Sequence, residues 1–269
     1  MKQIPNLFTL LNLFLGATAI IFILQTGQTI AFINNEGYTM VDLPEKITWA
    51  SLLLFSAAIV DFLDGFVARL LKATSPMGKQ LDSLSDVVSF GVAPALIIYQ
   101  LLRISYAQEE NGLDISIAFL LPALIIACAA AWRLAKFNLD ESQQYSFKGL
   151  PTPAAGLLVA SLPLILKFPP EILNITDLIL NKWILYLIII LLSFLMVSNL
   201  PLMSFKFKDF SLKNNFPKYL MMIIGIVAAI FLQWIAVPIV LVTYVIVSLL
   251  SPKGSPKEHV VPSDKNKST

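Results

Sequence analysis

The chain has 269 residues, of which 57% are hydrophobic and 13% charged, with a mean hydropathy of +0.77. Soluble domains run roughly 45–50% apolar and about 25% charged, so this composition excludes an ordinary soluble domain and reads as a polytopic membrane protein. A net charge of +2 gives no reason to expect nucleic acid as a partner, and one cysteine, Cys128, excludes a disulfide framework.

Apolar stretches long enough to cross a hydrocarbon core of about 30 Å fall near 7–25, 48–71, 81–102, 115–135, 152–168 and 183–203. Lys2, the first apolar run and Ala17-Thr18-Ala19 imitate a signal peptide. That run continues to Leu24, however, and Asn6, Thr9 and Asn12 interrupt its start, so it reads as a retained first span. Cys128 lies in the apolar run of the fourth stretch and reads as a small packing residue. A last stretch, 218–250, is too long for one span and suits two short ones, with a break expected around Gln233 to Pro238. No alternating ten-residue pattern suggests a membrane β-barrel. The expected architecture is all-α, with about eight transmembrane helices in one domain over 1–250. The remainder, 251–269, is rich in Lys, Pro and Ser, reads as a disordered cytoplasmic tail, and carries the only histidine, His259.

Eight spans sort the cations unequally. Of the 19 Lys and Arg residues, only Lys46, Arg103, Lys167 and Lys182 fall on one side. The others, among them Arg69, Lys79, Arg133, Lys136 and Lys148, fall on the opposite side, which the positive-inside bias makes cytoplasmic. An odd number of spans would export the basic tail. The chain is therefore expected in the cell membrane, with its polar segments 61–86 and 132–153 facing the cytoplasm.

The first of those segments carries the chemistry. It reads Asp61-x2-Asp64-Gly65-x2-Ala68-Arg69-x8-Gly78-x3-Asp82-x3-Asp86. An Asp at a bilayer centre costs about 2.5–3.5 kcal/mol on insertion scales, so four in one hairpin call for a compensating cation. Helical spacing puts Asp61, Asp64, Gly65 and Ala68 on one stripe and Gly78, Asp82, Ser85, Asp86 and Ser89 on another. A turn around Thr74-Ser75-Pro76, with a Ser or Thr cap and Pro in the first helical turn, brings the stripes together. Oxygen-only ligands suit Mg²⁺, Mn²⁺ or Ca²⁺ rather than zinc. Gly65, Ala68 and Gly78 leave room for a bulky ligand, and Arg69 is placed to meet an anion. The competing bland reading, interfacial charges solvated at helix ends, fits an isolated Asp-x2-Asp better than it fits all eight positions.

That pattern resembles the signature of the CDP-alcohol phosphatidyltransferases, matched at every fixed position. Pro5-Asn6-x2-Thr9-x2-Asn12 is similar to the family's opening helix, and its polar stripe can reach the same pocket. Trp132-Arg133-Leu134-Ala135-Lys136-Phe137-Asn138 and Phe147-Lys148-Gly149-Leu150-Pro151-Thr152-Pro153-Ala154-Ala155-Gly156 look like the family's bacterial and archaeal serine-using branch. Beyond about residue 160 only hydropathy matches.

The resemblance implies a single catalytic domain in which a serine hydroxyl attacks the lipid-bearing phosphate of CDP-diacylglycerol and CMP leaves. It implies one or two ions, Mg²⁺ or Mn²⁺ with Ca²⁺ as a possible occupant, held by Asp61, Asp64, Asp82 and Asp86. It gives Asp86 the role of base, and no His or Cys stands near the site to compete. Asn6, Thr9, Gly65, Ala68, Arg69 and Gly78 are expected to hold the CDP-lipid. Arg133 and Lys148 are candidates for the serine carboxylate, with Asn138 orienting either substrate. A homodimer in the lipid bilayer is expected from the family alone. Rival readings keep the chemistry with another acceptor (glycerol phosphate, inositol phosphate or an amino alcohol) or an archaeal ether lipid. From another class, a divalent-cation transporter would use the acids as an ion path, but that predicts polar residues through the depth of several spans.

Overall fold

Long apolar runs with few internal charges satisfy their own backbone hydrogen bonds as helices, and helix dominates the described chain. The computed structural model describes residues 4–25, 31–33, 39–41, 45–71, 73, 75–109, 115–139, 147–169, 175–202 and 212–250. Helix α1 (Ile4–Leu24) leads through short antiparallel strands β1 (Ala31–Ile33) and β2 (Thr39–Val41) into α2 (Glu45–Leu70). Helix α3 (Pro76–Asp86), a π-helical turn (Val87–Val92) and α4 (Ala93–Ala107) form one continuous rod. Two 3-10 turns (Ile117–Phe119, Leu121–Leu124) precede α5 (Ile125–Leu139). Then come β3 (Phe147–Lys148), α6 (Thr152–Lys167), the single turn α7 (Thr176–Ile179), α8 (Lys182–Val197) and β4 (Pro201–Leu202), which pairs antiparallel with β3. Helices α9 (Leu212–Leu232) and α10 (Ala236–Leu250) close the described chain.

Among the described residues, five helical runs are long and apolar enough to cross a membrane, and α6 and α8 are shorter apolar helices. The last run, Tyr219–Leu249, is two rods rather than one. Gln233 adopts a positive φ of 48° in a 3-10 turn, and a Cβ on Gly225 of α9 would lie 3.2 Å from Val240 of α10. Fifteen residues of straight helix would hold those positions about 22 Å apart, so the chain folds back where the sequence suggested a break. Eight rods result among the described residues. The tail with His259 lies outside them.

The rod Pro76–Ala107 is central: 67% of its apolar window is buried, against 39% or less for the other spans. At 32 residues it is about 48 Å long, so its N-terminal turns project past a hydrocarbon layer of about 30 Å. Its π turn answers Pro94. Proline has no N–H to donate and its ring crowds the carbonyl four residues back; the widened turn just before it lets the Ala93 N–H reach Val88 O. Close helix approaches converge here. A Cβ on Gly16 of α1 would lie 2.8 Å from Ser89 Cα, and one on Gly156 of α6 would lie 3.0 Å from Phe90 Cα. Small residues allow such backbone proximity in membranes.

Phe14, Phe62, Trp132, Trp183, Phe194 and Phe231 are exposed, as on a surface that faces lipid instead of water. Cys128 is exposed as well, which corrects its reading as a packing residue. In lipid a small apolar side chain gains little by turning inward.

Candidate active site

The site forms where the N-termini of α1, α3 and α6 meet the C-termini of α2, α5 and α8. Ser75 caps α3: its Oγ accepts from the Gly78 N–H at 3.0 Å, and Pro76 opens the helix. Helix α3 packs against α1, and carboxylates carried by α2 and α3 converge beside it.

Oxygens of Asp61, Asp82 and Asp86 lie within 4.8 Å of one another. Asp64 stands apart from that trio, bonded by the Thr9 hydroxyl of α1. All four are drawn into one region, with Asp64 and Asp86 only 7% and 6% exposed. Among the described residues no Lys or Arg comes within ion-pair distance of them, although the Arg133 charge acts on Asp86. Three converging carboxylates without a paired cation, supplying oxygen donors only, fit a hard divalent ion.

A cavity of about 700 Å³ opens beside the cluster. Asp61, Asp64 and Asp82 line it together with Asn6, Thr9, Gly65, Ala68, Gly78 and Lys79. Gly65 has nothing within 4 Å of where a Cβ would stand, so the space at that point is open. Asp86 is not among the lining residues; it sits deeper, where Asn12 Nδ2 donates to its Oδ1 at 3.3 Å. Arg69 is exposed and does not line the cavity; its Nε donates to Gly65 O of its own helix at 2.8 Å.

The second polar segment reaches the same end of the bundle. Arg133, 9% exposed, donates from Nη1 to Thr152 Oγ1 at 2.9 Å, while its Nε is buried without a partner. Asn138 points elsewhere: its Nδ2 donates to Ser83 Oγ at 2.8 Å, and its backbone carbonyl accepts from Lys79 Nζ at 3.1 Å. It ties α5 to α3 at the cavity's edge. Gly149, at φ 76°, turns the chain into α6; Cβ-sized space is missing there, since Ser198 O would lie 2.7 Å away. The side chain of Lys148 lies outside the described residues.

The sequence profile described as CDP-alcohol phosphatidyltransferase matches residues 2–195. The chain belongs to the CDP-alcohol phosphatidyltransferase family. Within that family it is 36% identical over 213 residues to the CDP-diacylglycerol–serine O-phosphatidyltransferase of Helicobacter pylori strain 26695, covering 78% of this chain and 75% of that one. It is 38% identical over 113 residues to the enzyme of the same name from Bacillus subtilis strain 168, covering 42% and 59%. To the archaetidylserine synthase of Methanothermobacter thermautotrophicus it is 36% identical over 131 residues, covering 47% and 52%.

Lys79 lines the cavity but was not read as a site residue from the sequence, where it follows Gly78 on a stripe read only for its small residues and acids. Asn12 was read as part of the polar stripe of the first span, without a role of its own.

Proposed function

We propose that the protein transfers the phosphatidyl group from CDP-diacylglycerol to the hydroxyl of L-serine, giving phosphatidylserine and CMP. The observation that carries this reading is the 36% identity to a relative named for that reaction, over 78% of this chain and so across the four aspartates. A relative named archaetidylserine synthase adds a second reading on the lipid side, an ether-linked donor with the same acceptor.

The head group enters the cavity of about 700 Å³. Gly65, Ala68 and Gly78 keep its wall low, and Asn6, Thr9 and Lys79 offer polar contacts and a positive charge to the diphosphate. Arg69 reaches a lipid phosphate only if it leaves its bond to Gly65 O. Asp61, Asp64, Asp82 and Asp86 would hold Mg²⁺ or Mn²⁺, which supplies charge neutralisation for the diphosphate and the departing phosphate oxygen. Asp86 accepts the proton of the serine hydroxyl. The serine oxygen forms the new bond to the lipid-bearing phosphorus as the bond to CMP breaks. Direct displacement suits a site with no His or Cys among its described residues to carry a covalent intermediate. The partnerless Nε of Arg133 is available to the serine carboxylate, with Lys148 as a second cation. The acceptor is thereby expected from the α5–α6 side and the nucleotide from the cavity side. A homodimer, and a site facing the cytoplasm, belong to this reading.

The test is CMP release by purified protein given CDP-diacylglycerol with L-serine, glycerol phosphate, inositol phosphate or no alcohol, with and without Mn²⁺. Release that depends on serine and metal supports the reading. Release with another alcohol, and not with serine, overturns the acceptor.

A further inference from the structure

The polar stripe of α1 continues below the cavity. Asn12 is 0% exposed and lines no part of the cavity where the CDP head group is placed. Its Nδ2 donates to Asp86 Oδ1 at 3.3 Å, while its own Oδ1 is buried without a partner. The opposite amide orientation would set two acceptor oxygens against each other. On either side of this contact α1 is pinned to the rod that carries Asp86. Ser85 Oγ donates to Thr9 O at 3.0 Å, and Ser89 Oγ donates to Asn12 O at 3.1 Å. One turn on, Gly16 brings the two backbones together, where even a Cβ would strike Ser89 Cα at 2.8 Å. A buried amide is costly in a span unless it is bonded, and this one spends its donor on the carboxylate assigned as base.

We propose that Asn12 is a positioning residue for Asp86. Its N–H occupies Oδ1 and fixes the plane of the carboxylate, leaving Oδ2 to take the proton from the acceptor hydroxyl. In that step the proton moves to Oδ2, the acceptor oxygen bonds to phosphorus, and the bond to CMP breaks with its electron pair leaving on CMP. Asn12 gains and loses no proton. The inference rests on the phosphatidyl-transfer reading and on Asp86 as its base.

The experiment compares Asn12→Leu and Asn12→Ala with Gln100→Leu, each purified and checked by thermal melting in detergent. Gln100 is the fitting control because its buried amide also bonds α1, at Ile23 O, 3.0 Å away and far from the acids. Both Asn12 variants are expected to lose about 10–100-fold in kcat, the range typical of groups that orient a ligand or base from behind, with KM for serine and CDP-lipid within about threefold. Gln100→Leu is expected to melt earlier and keep its kcat. If either folded Asn12 variant keeps kcat within twofold, or if Gln100→Leu loses as much, the inference fails. Should wild-type protein release no CMP with any alcohol, the functional reading fails with it; serine turnover by wild type beside an unimpaired Asn12 variant sinks this inference alone.

Discussion

At the scale of single residues, the four aspartates have distinct surroundings. Asp61 and Asp82 line the cavity, Asp64 is tied to Thr9, and Asp86 lies beneath with Asn12 and Arg133 as neighbours. If Asp86 is the base, Asp86→Asn should lower kcat by about 10²–10⁴-fold, the usual contribution of a positioned base, while CDP-diacylglycerol still binds. Near-normal turnover in that variant would refute the assignment. Arg133→Ala should raise the serine KM by about tenfold or more, as loss of a charge-assisted hydrogen bond implies, and the lipid KM less. An unchanged serine KM would remove Arg133 from the acceptor pocket. The spacing of the acids was readable from the sequence because i, i+3 and i+4 positions share a helix face. What spacing could not tell was which carboxylate α1 would claim. That depends on the contact between α1 and α2, and Thr9 takes Asp64 out of the trio. Likewise Asn138 had the right segment and polarity, yet its side chain is engaged by Ser83.

At the scale of elements, hydropathy located the rods because a window measures length and apolarity, and both are intrinsic to the chain. The Gln233 break was legible for the same reason: the last stretch was too long for one crossing. The π turn at Val87–Val92 was not legible, since it follows from accommodating Pro94 while α1, α5 and α6 press on the same rod. That crowding makes a sharp prediction. Gly16→Val would place its Cβ 2.2 Å from Ser89 Oγ and 2.8 Å from Ser89 Cα, and backbone cannot give way cheaply. The expected cost is about 1–3 kcal/mol of stability, as for overpacking generally. Activity should fall too, because moving α1 outward withdraws Thr9 and Asn12 from the acids. A thermal melt and a CMP-release assay on one preparation measure both. Wild-type values in both would show that α1 is not held where the structure has it.

At the scale of the whole molecule, the two ends of the bundle differ in charge and purpose. The acid-lined end also gathers Arg69, Lys79, Arg133 and Lys136, the last donating to Asn199 Oδ1 at 2.7 Å. The far end holds Arg103 against Gln100, and Lys182 bonded to Glu109 and lying 4.9 Å from the Tyr106 ring centre. The sequence assigns only Lys46, Arg103, Lys167 and Lys182 of the 19 Lys and Arg residues to that far side. The positive-inside bias then predicts that the acid-lined end lies in the cytoplasm, where a water-soluble nucleotide product and serine are handled. Replacing exposed Cys128 with Ser gives a background free of native thiols. Into it go Ser75→Cys at the acid-lined end and Ser116→Cys at the far end, both exposed positions. In intact cells an impermeant maleimide should label the Ser116 variant and spare the Ser75 variant until the membrane is opened. The reverse labelling pattern would place the acids outside, and with them the whole proposed reaction.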